Sequence, residues 1–242
     1  MLLKNLNEGV YDKWTFKAVF LAGTPGSGKS FLRKKLFHSF KANDPDRIRN
    51  KLNKKKGIPL DSEKQSEEQK EYNKEISPTI NKKTKNHLTI SSDRRLPIAI
   101  DRTGSNVDST NREKKKLEKK GYETKMIYVK VGLETAQKRN KKRGRVVSPE
   151  FIEKADKKIK ENISGFKALF GDDFHVIDNS KPIEENQPEY DAMWNKIAVW
   201  MDKPVTNSIA TAWRKEELRK KDRRVSGNIE RIKGEIKGTL RR

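Results

Sequence analysis

The chain has 242 residues, no cysteine and three histidines, and its 57 Lys and Arg against 34 Asp and Glu leave a formal charge of +23. This composition excludes disulfides, thiolate zinc sites and a cysteine nucleophile, and 32% apolar against 38% charged residues allow one α/β core with appended polar pieces, not two large domains. The positive excess predicts a polyanionic partner, foremost nucleic acid, while the lack of a secretory leader or a membrane-length apolar run predicts a cytoplasmic protein with no membrane partner.

Residues 1–15 form a short lead-in whose Trp14 is expected to pack at the edge of the first strand. Phe16 to Ala22 is an apolar strand running straight into Gly23-Thr24-Pro25-Gly26-Ser27-Gly28-Lys29-Ser30. That octet fits G-x-x-x-x-G-K-[ST], a loop whose backbone N–H groups wrap a phosphate chain because glycines let it turn tightly. Lys29 is then expected to face solvent until it meets the β/γ-phosphates of ATP, and Ser30 to offer its hydroxyl to Mg2+. A helix over 29–39 follows, with Phe31, Leu32, Leu36 and Phe37 on its inner side, its N-terminus lying under the same phosphates.

Phe40 to Ala42 reads as a short edge strand, and Asp44-Pro45 as the cap and first residue of a helix that places Asp46 and Arg49 on one face. Residues 54–95 are polar and lysine-rich, with helices over 63–76 and 78–87, and are expected to form an insertion outside the core layers. Leu96 to Ile100 is a buried strand ending in Asp101-Arg102-Thr103-Gly104-Ser105-Asn106, a polar loop at the strand end where α/β proteins build sites. Asp108 or Ser109 caps the next helix, Gly121 ends it, and residues 125–131 form the fourth strand.

A helix over 133–142 runs into Arg139-Asn140-Lys141-Lys142-Arg143-Gly144-Arg145, a basic segment that with residues to 148 reads as a helical lid. Ser148 and Pro149 open a helix to Phe170 with Phe151, Ile152, Ala155, Ile159, Ile163 and Phe166 inward; Phe174 to Ile177 is the fifth strand. The helix over 189–201 turns Trp194, Ile197, Ala198 and Met201 inward. Residues 203–242 hold thirteen Lys and Arg against five acidic residues, with Trp213, Leu218, Val225, Ile229, Ile232 and Ile236 thinly spaced: a basic helical extension, either disordered alone or folded against a partner. Residues 1–202 are thus expected to be one domain carrying the insertion and the lid, with 203–242 appended.

Strands alternating with helices after a phosphate loop give a doubly wound parallel five-stranded sheet. The octet, then Asn43 to Arg49, Ile100 to Asn106 and Arg139 to Arg145, resemble the P-loop kinases of the polynucleotide 5′-kinase and zeta-toxin-like group, including phage-encoded members, over about Phe16 to Asn179. The resemblance implies Asp46, or alternatively Asp44, as general base, with Arg49 holding an acceptor phosphate. It implies that Asp101 orients a metal-bound water or a substrate-side arginine, and that an arginine among Arg139, Arg143 and Arg145 closes over the transferring phosphate; Arg139 and Arg143 are taken as catalytic and Arg145 as a nucleotide contact.

Physically these parts suffice for phosphoryl transfer, which needs positive charge around the γ-phosphate and one carboxylate to take the acceptor proton. The expected activity is an ATP- and Mg2+-dependent kinase acting on a hydroxyl of nucleic acid or of a nucleotide, a hydroxymethylated base in phage DNA included. A small-molecule kinase of zeta-toxin or nucleoside monophosphate type stands beside it. So does a non-catalytic nucleotide-binding module whose extension, residues 203–242, docks it on nucleic acid or in a viral assembly.

Overall fold

The computed structural model describes residues 9, 10, 12–182 and 184–239, with side chains through residue 233. The first eight residues of the expected lead-in, and the side chain of Ile236, lie outside the described residues. In chain order the elements are β1 (Lys17–Ala22), α1 (Lys29–Leu36), β2 (Lys41–Asn43), α2 (Pro45–Lys55), α3 (Glu67–Glu75), α4 (Ser77–Asp93), β3 (Ile98–Asp101), α5 (Val107–Glu118), β4 (Glu123–Lys130), α6 (Leu133–Lys141), α7 (Pro149–Phe170), β5 (Phe174–Asp178), α8 (Gln187–Asp202) and α9 (Ser208–Thr239).

The five strands form one parallel sheet in the order β2-β3-β1-β4-β5. Every residue of β1 is buried, as a central strand covered on both faces requires. Ala18, Phe20 and Ala22 point to one core, shared with Leu88 of α4, Leu117 of α5 and Ile159, Phe166 and Phe170 of α7. Val19 and Leu21 point to the other, with Leu32 and Leu36 of α1 and Tyr190, Met193, Ile197 and Met201 of α8. The period-2 alternation of one strand thus sets the three-layer architecture.

Three expectations need correction. Helix α4 is a covering element and not a peripheral insertion, because Ile80 and Leu88 on its inner side are buried and Leu88 joins the core beneath β3. Asn106, neither Asp108 nor Ser109, caps α5 by accepting the Ser109 N–H at 2.7 Å. Phe151 and Trp194, placed inward by the helical period, are half exposed, at 50% and 41%; Ile152 and Met193 take the inner positions beside them. Trp14 packs on the core that holds Val19 and Leu21 of β1, with its ring against Phe40 and His38, and its carbonyl accepts from Lys17 N at 3.2 Å.

The core does not stop at residue 202. Val205 and Ala210 are buried in it, and Trp213 meets the ring of Phe16 edge-on, with centroids 5.3 Å apart. Lys17, fully buried at the start of β1, donates its ammonium to the carbonyls of Trp200, Met201 and Lys203, satisfying the end of α8. Burial lowers the Lys17 pKa to about 8, against the opposing pull of Glu123.

Candidate active site

Glycines shape the loop after β1. Gly23, at φ 152°, is closed in so tightly that a Cβ there would sit 2.6 Å from Ser27 Oγ and 2.7 Å from Val129 O. Gly28, at φ 95°, precedes the first residue of α1 in the left-handed region that favours glycine. Behind the loop lies Asn179, buried at the carboxyl end of β5. Its amide donates to Ser27 O at 2.6 Å, and its Oδ1 accepts from Tyr190 at 2.6 Å and Asn186 at 3.0 Å. The phosphate loop is thereby tied to α8.

The carboxyl ends of β1, β2 and β3 open on one cavity of about 900 Å3. Its walls bring together Thr24, Pro25, Gly26, Gly28, Lys29 and Ser30 of the loop, Asp44 and Asp46 at the start of α2, Asp101 and Arg102 at the end of β3, and Arg139, Arg143 and Arg145. Four segments far apart in sequence therefore converge as expected from their motifs. Gly23 and Ser27 support the loop from behind, both buried.

Within the cavity the side chains hold one another. Lys29 does not face solvent: its ammonium donates to Gly23 O and, at 3.1 Å, to Thr24 O. Burial lowers its pKa and raises that of Asp101 to about 6, and the attraction between the two charges opposes both shifts. Asp46 is ion-paired with Arg145 across the cavity. Asp44 caps α2, accepting from Asp46 N at 2.9 Å.

Two arginines of the expected set are held by oxygens of the protein itself. Arg49 turns to the α3–α4 junction, donating to Asn73 O at 2.8 Å and Ser77 Oγ at 3.3 Å, and does not line the cavity. Arg139 lines it, and its guanidinium donates to the carbonyls of Asn179 at 2.5 Å and Lys181 at 2.6 Å, bracing the loop after β5. Arg143 is exposed at the rim.

Two further residues belong to the site. Arg102 donates to Asn43 Oδ1 at 2.7 Å and to Glu113 at 3.0 Å, locking the ends of β2 and β3 beneath the acidic residues of α2. Asn179 is the other. Each lies just past the carboxyl end of a parallel strand, Arg102 after β3 and Asn179 after β5, the end at which parallel sheets build their sites.

The donor set suits a nucleotide with its metal. Backbone N–H groups, one lysine and arginines surround the space, and Ser30 and Asp101 present oxygen ligands of the kind Mg2+ takes. Among the described residues no helix is long and apolar enough to cross a membrane.

No curated protein matches this chain. Among solved structures, a candidate kinase from Chloroflexus aurantiacus J-10-fl matches with a TM-score of 0.52 at 11% identity over 77% of this chain and 96% of that one, which shows a shared fold. The PezAT chromosomal toxin-antitoxin system of Streptococcus pneumoniae matches with a TM-score of 0.47 at 18% identity over 89% and 87%. The family model described as Zeta toxin matches residues 9–189, from before β1 into α8 and across every segment of the cavity, so the chain belongs to the Zeta toxin family and is a P-loop kinase.

Proposed function

We infer that this kinase transfers the γ-phosphate of ATP to a hydroxyl of a small, phosphate-bearing acceptor of nucleotide type. The observation that carries this reading is a second pocket of about 520 Å3 that shares Asp44 and Arg47 with the main cavity, has Ile48 and Leu52 on its wall, and is ringed by Lys51, Lys55 and Lys83 between α2 and α4. A groove of such charge opening beside two carboxylates fits an anion whose hydroxyl points at Asp44 and Asp46. Its size fits a small molecule better than a polymer, which favours the small-acceptor branch over the polynucleotide branch. Arg49 supports the same choice, since its guanidinium is committed to Asn73 and Ser77.

In this reading the loop N–H groups and Lys29 bind the β- and γ-phosphates. Lys29 leaves the Gly23 and Thr24 carbonyls to do so, a switch of partners that costs little because both sets are oxygens. Ser30 and Asp101 would hold Mg2+, and the ion would neutralise charge on the phosphate oxygens. Asp46 accepts the acceptor proton as the new P–O bond forms and the bond from the γ-phosphorus to the bridging oxygen breaks. Arg145 holds that carboxylate in place through their ion pair, Arg143 meets the γ-oxygens from the rim, and Arg139 steadies the wall. Asp44 remains the cap.

The test is a pair of amide substitutions. Asp46→Asn is expected to lower kcat by a hundredfold or so with ATP affinity nearly unchanged, whereas Asp44→Asn keeps a good cap residue and leaves kcat within about threefold. Loss of activity in Asp44→Asn alone would move the base to Asp44. A product labelled only at an oligonucleotide 5′-hydroxyl would replace the small acceptor with nucleic acid.

A further inference from the structure

Helix α9 has 32 residues and is thus about 48 Å long, yet its packing on the core ends at Trp213. From Lys215 to Lys233 every residue but Glu217 is exposed. At about 100° per residue, Leu218, Val225, Ile229 and Ile232 fall within a narrow stripe about 60° wide. Lys215, Arg219 and Arg223 stand at i, i+4 and i+8 and make a separate row, centred about 100° around the helix from that stripe, with steps of about 6 Å along the axis. Among the described residues these three, and Arg224 beside them, pair with no carboxylate, whereas the neighbouring Lys220 is taken by Glu217 at 2.8 Å.

An acidic helix seated on the apolar stripe would reach Lys215 at its flank but leave Arg219 and Arg223, about 110° and 150° around from the stripe's centre, in water. A phosphate backbone meets the row directly, and cations with no competing carboxylate are those that displace condensed counterions most fully. We propose that the Lys215–Arg219–Arg223 row is a docking surface for the phosphate backbone of nucleic acid, read without regard to base sequence. It is separate from the acceptor site and stands whichever hydroxyl the kinase uses.

Full-length protein is titrated by fluorescence anisotropy against duplexes of about 20 base pairs in two unrelated sequences, and against RNA of the same length, over a salt series. Equal affinity for both duplexes is expected. The triple variant K215Q/R219Q/R223Q should weaken binding at least tenfold at about 0.1 M salt and make the slope of log K against log salt shallower by about 2.7, or about 0.9 for each phosphate no longer neutralised. Glutamine is a good helix former, so far-UV dichroism should not change. The control K115Q/K116Q/K119Q removes the same charge from α5 and the turn that ends it and should shift the slope by less than a third as much. Equal weakening in both triples, no weakening in the first, or binding of polyglutamate as tight as that of the duplex would overturn the proposal.

Discussion

Asp101 and Lys29 line the space meant for the transferring phosphate, and burial disfavours the charged form of each. The sign of the acid's effect on stability follows from its pKa. With its carboxyl raised from about 3.8 to about 6, folded protein binds more protons than unfolded between those values, so Asp101 lowers stability as pH rises through that window. The cost is fully present above about pH 6 and absent below about pH 4, amounting at most to about 3 kcal/mol. Asp101→Asn should therefore gain about 1–3 kcal/mol over wild type on going from about pH 4.5 to about pH 7 in urea unfolding, while losing nucleotide-dependent activity. A pH-independent difference would contradict the burial argument. For Lys29→Ala the expectation is a loss of a hundredfold or more in turnover, equivalent to about 3 kcal/mol or more in the transition state, with the fold retained. The octet announces Lys29, but not its resting bonds to Gly23 and Thr24, because these depend on how the loop closes and not on residue type.

Between elements, the contacts that matter join pieces far apart in sequence. Capping by Asp44 and Pro45 is legible because the side chain reaches a backbone N–H two residues away. The docking of α4 beneath β3 is not, because its inner side mixes Ile80 and Leu88 with Thr84, Ser91 and Ser92, a weak hydrophobic period in a lysine-rich stretch. Asn179 is only half legible for a related reason: its place after a strand end points to the site, but its value lies in three partners from 7 to 152 residues away. Asn179→Ala should leave Ser27 O, Tyr190 and Asn186 without a shared partner, costing about 2–3 kcal/mol and raising the apparent KM for ATP, measurable by thermal melts and steady-state kinetics. Trp213→Ala probes the root of α9. Removing its packing on Phe16 should cost about 2–3 kcal/mol, roughly 4–10 °C in Tm, with kcat unchanged.

On the scale of the whole molecule, the three-layer plan and the convergence of four motifs at one sheet edge are readable, because parallel strands leave buried apolar runs and crossover rules order them. The extent of the body is not. A proline at 204 and falling hydrophobicity mark a composition boundary, whereas Lys17 beneath the end of α8 and the burial of Val205 and Ala210 carry the packing further. Ending the chain after residue 202 should consequently destabilise it, and ending it after residue 216 should leave Tm within about 2 °C, a comparison differential scanning fluorimetry makes directly. The account as a whole stands on phosphoryl transfer to a small anionic hydroxyl compound. Its most direct measurement is incubation of the full chain with γ-labelled ATP and a panel of nucleotides, nucleotide sugars, neutral sugars and oligonucleotides, with the Asp46→Asn protein alongside. Label on a phosphate-bearing small acceptor, abolished in Asp46→Asn, is the predicted result; stoichiometric ATP binding with label on no acceptor, or equal labelling by both proteins, would contradict it.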